Sequence, residues 1–115
     1  MNKYVEYLDT TIQELQKKEK EFVQSERKDE ANFIRIKKNI CDIAKTIYHI
    51  SAKNNSGRSL KEEYTRQLTR LPENWKNSYQ KAKEHGDVQK ILIEETKLGM
   101  LQIIKEKYED LGECE

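Results

Sequence analysis

The stretch QSERKDEAN, residues 24–32, separates two apolar runs, and its reading decides the fold. Before it, Val5, Leu8, Ile12, Leu15 and Phe22 recur at steps that share one helical face, and Tyr4 and Val23 join that stripe. After it, Phe33, Ile36, Ile40, Ile43, Ile47 and Ile50 recur in the same phase. The stretch holds neither Gly nor Pro. A single unbroken helix of about fifty residues is therefore permitted, because nothing in it removes an amide or loosens the backbone. The alternative is a turn near Glu26–Lys28, with Asp29 as N-cap and Glu30 in the first turn of a second arm. Folding back there brings Phe22 level with Phe33, Leu15 with Ile40, Ile12 with Ile43, Leu8 with Ile47 and Val5 with Ile50. Any continuous heptad folded at that point would match in this way, so helix length decides. Two arms, 3–24 and 29–52, are similar in length to the arms that follow, whereas a rod would be twice as long as anything available to cover it. The hairpin is the expected structure.

Downstream, AKNNSGRS (52–59) is a loop, and Ser59 with Glu62 reads as a capping box in which the hydroxyl accepts a free amide and the carboxylate reaches back. Leu60, Tyr64, Leu68 and Leu71 then form a stripe. Pro72 lacks an amide hydrogen and crowds the preceding turn, so it bends or breaks the arm, and helical spacing resumes at Trp75, Tyr79 and Ala82. Gly86 ends this third arm, 60–85, and Asp87 caps the last, 88–111. The pattern predicts an all-α protein: an antiparallel four-helix bundle, its third arm bent or broken at Pro72, forming a single domain over residues 1–115.

The last arm is unusual. Leu92, Ile93, Met100, Leu101, Ile103, Ile104, Tyr108 and Leu111 cover about half of its circumference. Ile91 and Leu98 lie on the opposite side, among Glu94, Glu95, Gln102 and Lys105. Gly99 weakens the helix by about 1 kcal/mol relative to Ala, a cost often explained by something packing close against it. Phe33–Ile50, by contrast, is apolar over roughly 200° and must be covered by more than one neighbour, which makes it the central arm.

Composition narrows the class. Of 115 residues, 37% are charged and 35% hydrophobic, yet the net charge is +1, and the mean hydropathy is −1.04. Balanced charge with one Pro and four Gly fits helices laced with ion pairs. The small apolar share leaves room for association to complete the core. No run approaches the roughly 18 apolar residues of a membrane span. The start, MNKYVEYLDTTIQEL, has no apolar signal core, which points to the cytoplasm. Cys41 and Cys114 make no disulfide framework.

Catalytic constellations are missing from the pattern. Cys41 and His49 differ by about 80° around a helix and about 12 Å along it, too far for a thiolate–imidazole pair. Cys41 is expected in the core and His49 in solvent. His49 and His85 have no Glu three residues before them, no CxxC or HExxH occurs, and adjacent pairs such as Glu62–Glu63 and Glu94–Glu95 diverge on a helix. Gly57, Gly86, Gly99 and Gly112 are isolated, so no phosphate loop is present. No metal or cofactor is expected, and no enzymatic activity. Glu19 falls on the buried stripe and Lys37 intrudes into the next arm's apolar arc, which predicts a structural ion pair or register device.

Charge is distributed unevenly: the first and last arms are acidic, the two between them basic. Alternation of this kind places opposite charges on bundle neighbours. WKNSYQKAKEHGD (75–87) departs from tetratricopeptide repeats in its Trp-to-Tyr step and lacks their Leu-Gly pair, with no period of about 34 residues, so no family is assigned. The leading functional expectation is a small protein-interaction or assembly module that self-associates, as a dimer, or binds a protein partner. Its expected contact surface is Ile91, Leu98, Glu94 and Glu95. The alternative is nucleic-acid binding through Arg58, Arg66, Arg70, Lys76 and Lys83, which interleave with Tyr64, Trp75 and Tyr79.

Overall fold

A computed structural model describes residues 3–53 and 57–111. The order is α1 (Lys3–Gln24), α2 (Lys28–Ala52), α3 (Leu60–Arg70), α4 (Glu73–His85) and α5 (Val88–Leu111). These helices make four arms packed against each other, the third bent at Leu71–Pro72, with no strand among the described residues. Cys114, Gly112 and the Asn54–Ser56 part of the expected loop lie outside the described residues.

The 24–32 stretch is a turn, and its backbone shows how a chain without glycine makes one. Glu26 adopts the left-handed conformation at φ 61. The Arg27 amide donates to the Phe22 carbonyl at 2.8 Å and the Glu26 amide to that of Val23 at 3.1 Å, the paired bonds of a Schellman ending. The Arg27 guanidinium then lies over the Phe22 ring, 4.7 Å from its centroid, and also bridges to Glu30. Asp29 is not the cap. The helix begins at Lys28 with Arg27 in the N-cap position and no side-chain cap, and Asp29 sits inside the first turn, where its charge still complements the helix dipole.

Ion pairs hold α1 and α2 in antiparallel register. Glu19 meets Arg35 at 2.9 Å and Lys38 at 4.0 Å, and Asp9 meets Lys45 at 2.5 Å. The expected ion pair at Glu19 forms, but Lys37 is not in it. The cations that face α1 are spaced three and seven residues apart, and Lys37, one step of about 100° from Lys38, turns toward α5.

At the other ends, local chemistry behaves as its residues dictate. Ser59 Oγ accepts the Glu62 amide at 3.1 Å, while the Glu62 carboxylate accepts from the Ser59 hydroxyl at 3.3 Å, not from its backbone. Gly86 is left-handed at φ 67, and Asp87 accepts the Lys90 amide at 3.2 Å.

The core is centred on four tyrosines, one each from α1, α2, α3 and α5. Tyr4, Tyr48, Tyr64 and Tyr108 contact one another in all pairings, with centroids 4.8 to 6.3 Å apart and rings tilted or edge-on. The Tyr64 hydroxyl donates to the Ala44 carbonyl at 3.1 Å and lies 2.5 Å from the Tyr4 hydroxyl. A hydroxyl has one proton, so Tyr4 is the donor to Tyr64. Burial pushes both phenols well above their usual range.

Around this cluster the burial pattern departs from the heptads. On α2 the buried line is Cys41, Ala44, Tyr48 and Ser51, one residue later than the expected Ile40, Ile43, Ile47 and Ile50, of which only Ile40 is buried. One residue is a rotation of about 100°. The cause is tertiary: α2 is packed by α1, α3 and α5 together, as a central arm must be. The small side chains of Cys41, Ala44 and Ser51 sit on its most enclosed side, and Ile43 and Ile50 are left on the rim.

A candidate interaction surface on the last helix

On α5 the expected apolar arc is buried only in part, through Met100, Leu101, Ile104 and Tyr108. Glu94 is buried with them. Leu92 and Ile103, expected in the apolar arc, are 44% and 49% exposed, and Val88 is 67% exposed. At about 100° per residue, Val88, Leu92, Gly99 and Ile103 fall within roughly 60° of each other, directly opposite the core. Ile91 and Leu98, expected to point outward, are half-buried. The reason is the bent third arm. α4 runs antiparallel along that side of α5, and Leu98 shares a recess with Pro72 and Lys76.

The two glutamates named from the sequence separate. Glu94 is only 4% exposed; Lys97 donates to one of its oxygens at 3.2 Å, and the other has no hydrogen-bond partner. The Lys97 ammonium also stands 5.9 Å from the Trp75 ring centroid, tying α5 to α4. Glu95 is exposed and accepts from the Tyr79 hydroxyl at 3.2 Å. Of the four expected contact residues, Glu95 alone is exposed, Ile91 and Leu98 are half-buried and Glu94 is buried.

What the fold assembles instead is a shallow groove on the open side. Lys37 of α2 forms one wall, Glu95 lies on the α4 edge, and Leu92, Thr96, Gly99 and Ile103 make the floor between them. Lys37 is half-buried and makes no ion pair among the described residues. A Cβ placed on Gly99 would meet nothing within 4 Å. No neighbour within the described chain packs against this glycine, contrary to the expectation that one does. The apolar exposure, the flat glycine and the flanking charges were each visible as residues in the sequence. Only the orientation of α5 shows that they coincide.

The basic arm is partly engaged. Arg58 and Arg66 both bridge to Glu63, at 3.3 and 3.1 Å, and Gln67 donates to it at 2.8 Å. The hydrogen bonds from Arg66 and Gln67 hold the Glu63 carboxyl below its usual range. This three-donor site was missed in the sequence, where Glu63 resembles any surface glutamate; its spacing to Arg66 and Gln67 was the available signal. Lys83 lies over the Tyr79 ring at 4.5 Å from its centroid, while Arg70 and Lys76 are exposed. Tyr64, interleaved with these cations in the sequence, is fully buried and offers no stacking face.

Cys41 is fully buried and its thiol is pushed up to about 12 by desolvation, whereas His49 is exposed. Among the described residues no three His, Cys, Asp or Glu side chains group as metal ligands, and no helix is long and apolar enough to cross a membrane. Comparison with protein-family models, with curated proteins and with solved structures finds no match, so the reading of this surface rests on its own residues.

Proposed function

We propose that this chain is a helical interaction or assembly module that acts by contact and carries no catalytic centre of its own. One observation supports the reading above the others: Val88, Leu92 and Ile103, three of the large hydrophobics left exposed, line up with Gly99 on the face of α5 turned away from the core. Scattered exposed hydrophobics are ordinary, but a contiguous apolar stripe with charged edges marks a contact site. Among the described residues little chemistry competes with it, since Cys41 is buried and His49 lies on α2.

The test is a pair of surface variants, Leu92→Lys and Ile103→Lys, compared with wild type by circular dichroism, melting temperature and binding to proteins. Both side chains are about half-exposed on the face opposite the core, so the fold is expected to persist within about 0.5 kcal/mol while protein association falls. Association unchanged in both variants would end the reading. A Lys76→Glu, Arg70→Glu double variant serves as the nucleic-acid control; steep, salt-dependent binding of DNA or RNA that this variant abolishes would place function on the basic arm instead.

A further inference from the structure

Resting on that reading, we infer that the occupant of the α5 groove is a second copy of this chain, docked with the two α5 helices parallel and crossing at Gly99. Three features of the groove lead there. Gly99 sits in the middle of a long helix, where it lowers helix stability, and nothing in the described chain uses the space it leaves. That space admits a close approach only from outside. A helix presenting the same glycine brings the two backbones together there, with Leu92 and Ile103 of each copy packing above and below the crossing point.

The edges of the groove select the orientation. Lys37 is on the α2 edge and Glu95 on the α4 edge, at neighbouring levels along the helix. A two-fold axis running along parallel α5 helices brings the α2 edge of one copy against the α4 edge of the other. Each Lys37 then faces Glu95 of the second copy, twice over. A two-fold axis perpendicular to antiparallel helices instead brings like edges together, Lys37 against Lys37 and Glu95 against Glu95, which repels. Charge complementarity of this kind fixes register and orientation more than it adds affinity. Further along, Glu106 and Asp110 lie on the same outward face. In a parallel pair they repel their counterparts unless the helices diverge from Gly99, so a crossing geometry is required. A single helix face is at the small end of interface sizes, and the dimer is accordingly weak, with Kd on the order of 10–100 μM.

Sedimentation velocity and light scattering on the full chain, from about 5 μM to 1 mM, read the association directly. Wild type is expected to shift from monomer to dimer across this range. Gly99→Leu is the decisive variant: its side chain enters open space, so the melting temperature stays level or rises, while dimerisation weakens at least about ten-fold. Lys37→Glu and Glu95→Lys are each expected to weaken it by roughly ten-fold, and the double exchange to restore it to within about three-fold of wild type. A Gly99→Leu protein that dimerises normally, or a double exchange no better than the singles, overturns the parallel arrangement. If the wild type is monomeric at the highest concentration, self-docking is wrong. Immobilised wild type and Leu92→Lys exposed to cell extract then separate the two claims: a protein retained by wild type alone leaves the module reading standing, and equal retention by both removes it as well.

Discussion

Replacing Tyr64 by phenylalanine tests the central hydrogen-bond chain, and the structure assigns the order of the effects. The Tyr64 proton goes to the Ala44 carbonyl, so the Tyr64 oxygen is the acceptor for Tyr4, whose residue is fully buried. In Tyr64→Phe the ring packing persists but the Tyr4 hydroxyl is left buried without an acceptor, at a cost of about 1–3 kcal/mol. In Tyr4→Phe the Tyr64 hydroxyl loses a donor yet still donates to Ala44, so only one bond is lost, about 1 kcal/mol. The double variant has neither hydroxyl and no orphaned group, so it costs about 1–2 kcal/mol, less than the sum of the singles by about 1 kcal/mol. Urea unfolding followed by circular dichroism and by Trp75 fluorescence measures all four proteins; for a chain of this size each kcal/mol shifts Tm by about 3–6 °C. Tyr4 is not the donor to Tyr64 if Tyr4→Phe is as destabilising as Tyr64→Phe, or if the two effects simply add.

Two other outcomes follow from particular positions. Glu26→Gly is expected to stabilise the protein by about 1 kcal/mol, because the left-handed turn conformation disfavours a side chain, and equilibrium unfolding checks it; a loss of stability would mean that this turn does not hold Glu26 at positive φ. Cys41, Tyr4 and Tyr64 all have acidities weakened by burial, so each favours folding fully below its unfolded pKa and loses that contribution as pH rises through its folded value. Stability is therefore expected to fall above about pH 9, where the unfolded thiol begins to ionise, and in a Cys114→Ser background Cys41 is expected to react with a thiol reagent only through transient opening. Prompt reaction at pH 8 in native buffer would contradict its burial.

Local features were legible because they depend on a few adjacent residues. Ser59 accepts the Glu62 amide, Gly86 is left-handed and Asp87 caps α5, each as its neighbours dictate. Pro72 bends the third arm because no neighbour can return the amide it lacks. The turn at Glu26 was legible from length alone, since no turn residue marks it; the Schellman bonds and the Arg27–Phe22 contact that close it involve residues common anywhere on a helix surface. The N-cap was placed two residues late, at Asp29 instead of Arg27, for the same reason.

Helical periodicity determined which segments form arms and the central place of α2, and arm length selected the hairpin, because these follow from spacing along one chain. Which sector of each helix is enclosed was decided only by tertiary structure. α2 turns Cys41, Ala44, Tyr48 and Ser51 inward in place of its isoleucine line, since its neighbours close on it from several directions and four tyrosines must meet at one end. α5 has large apolar residues on nearly every side, so its sequence hardly distinguishes inside from outside. α4 covers Ile91 and Leu98, and the remaining face, Leu92, Gly99 and Ile103 beside Lys37, is open. A rotation of about 100° is one residue in sequence. In space it carries a side chain from the core to the exposed surface.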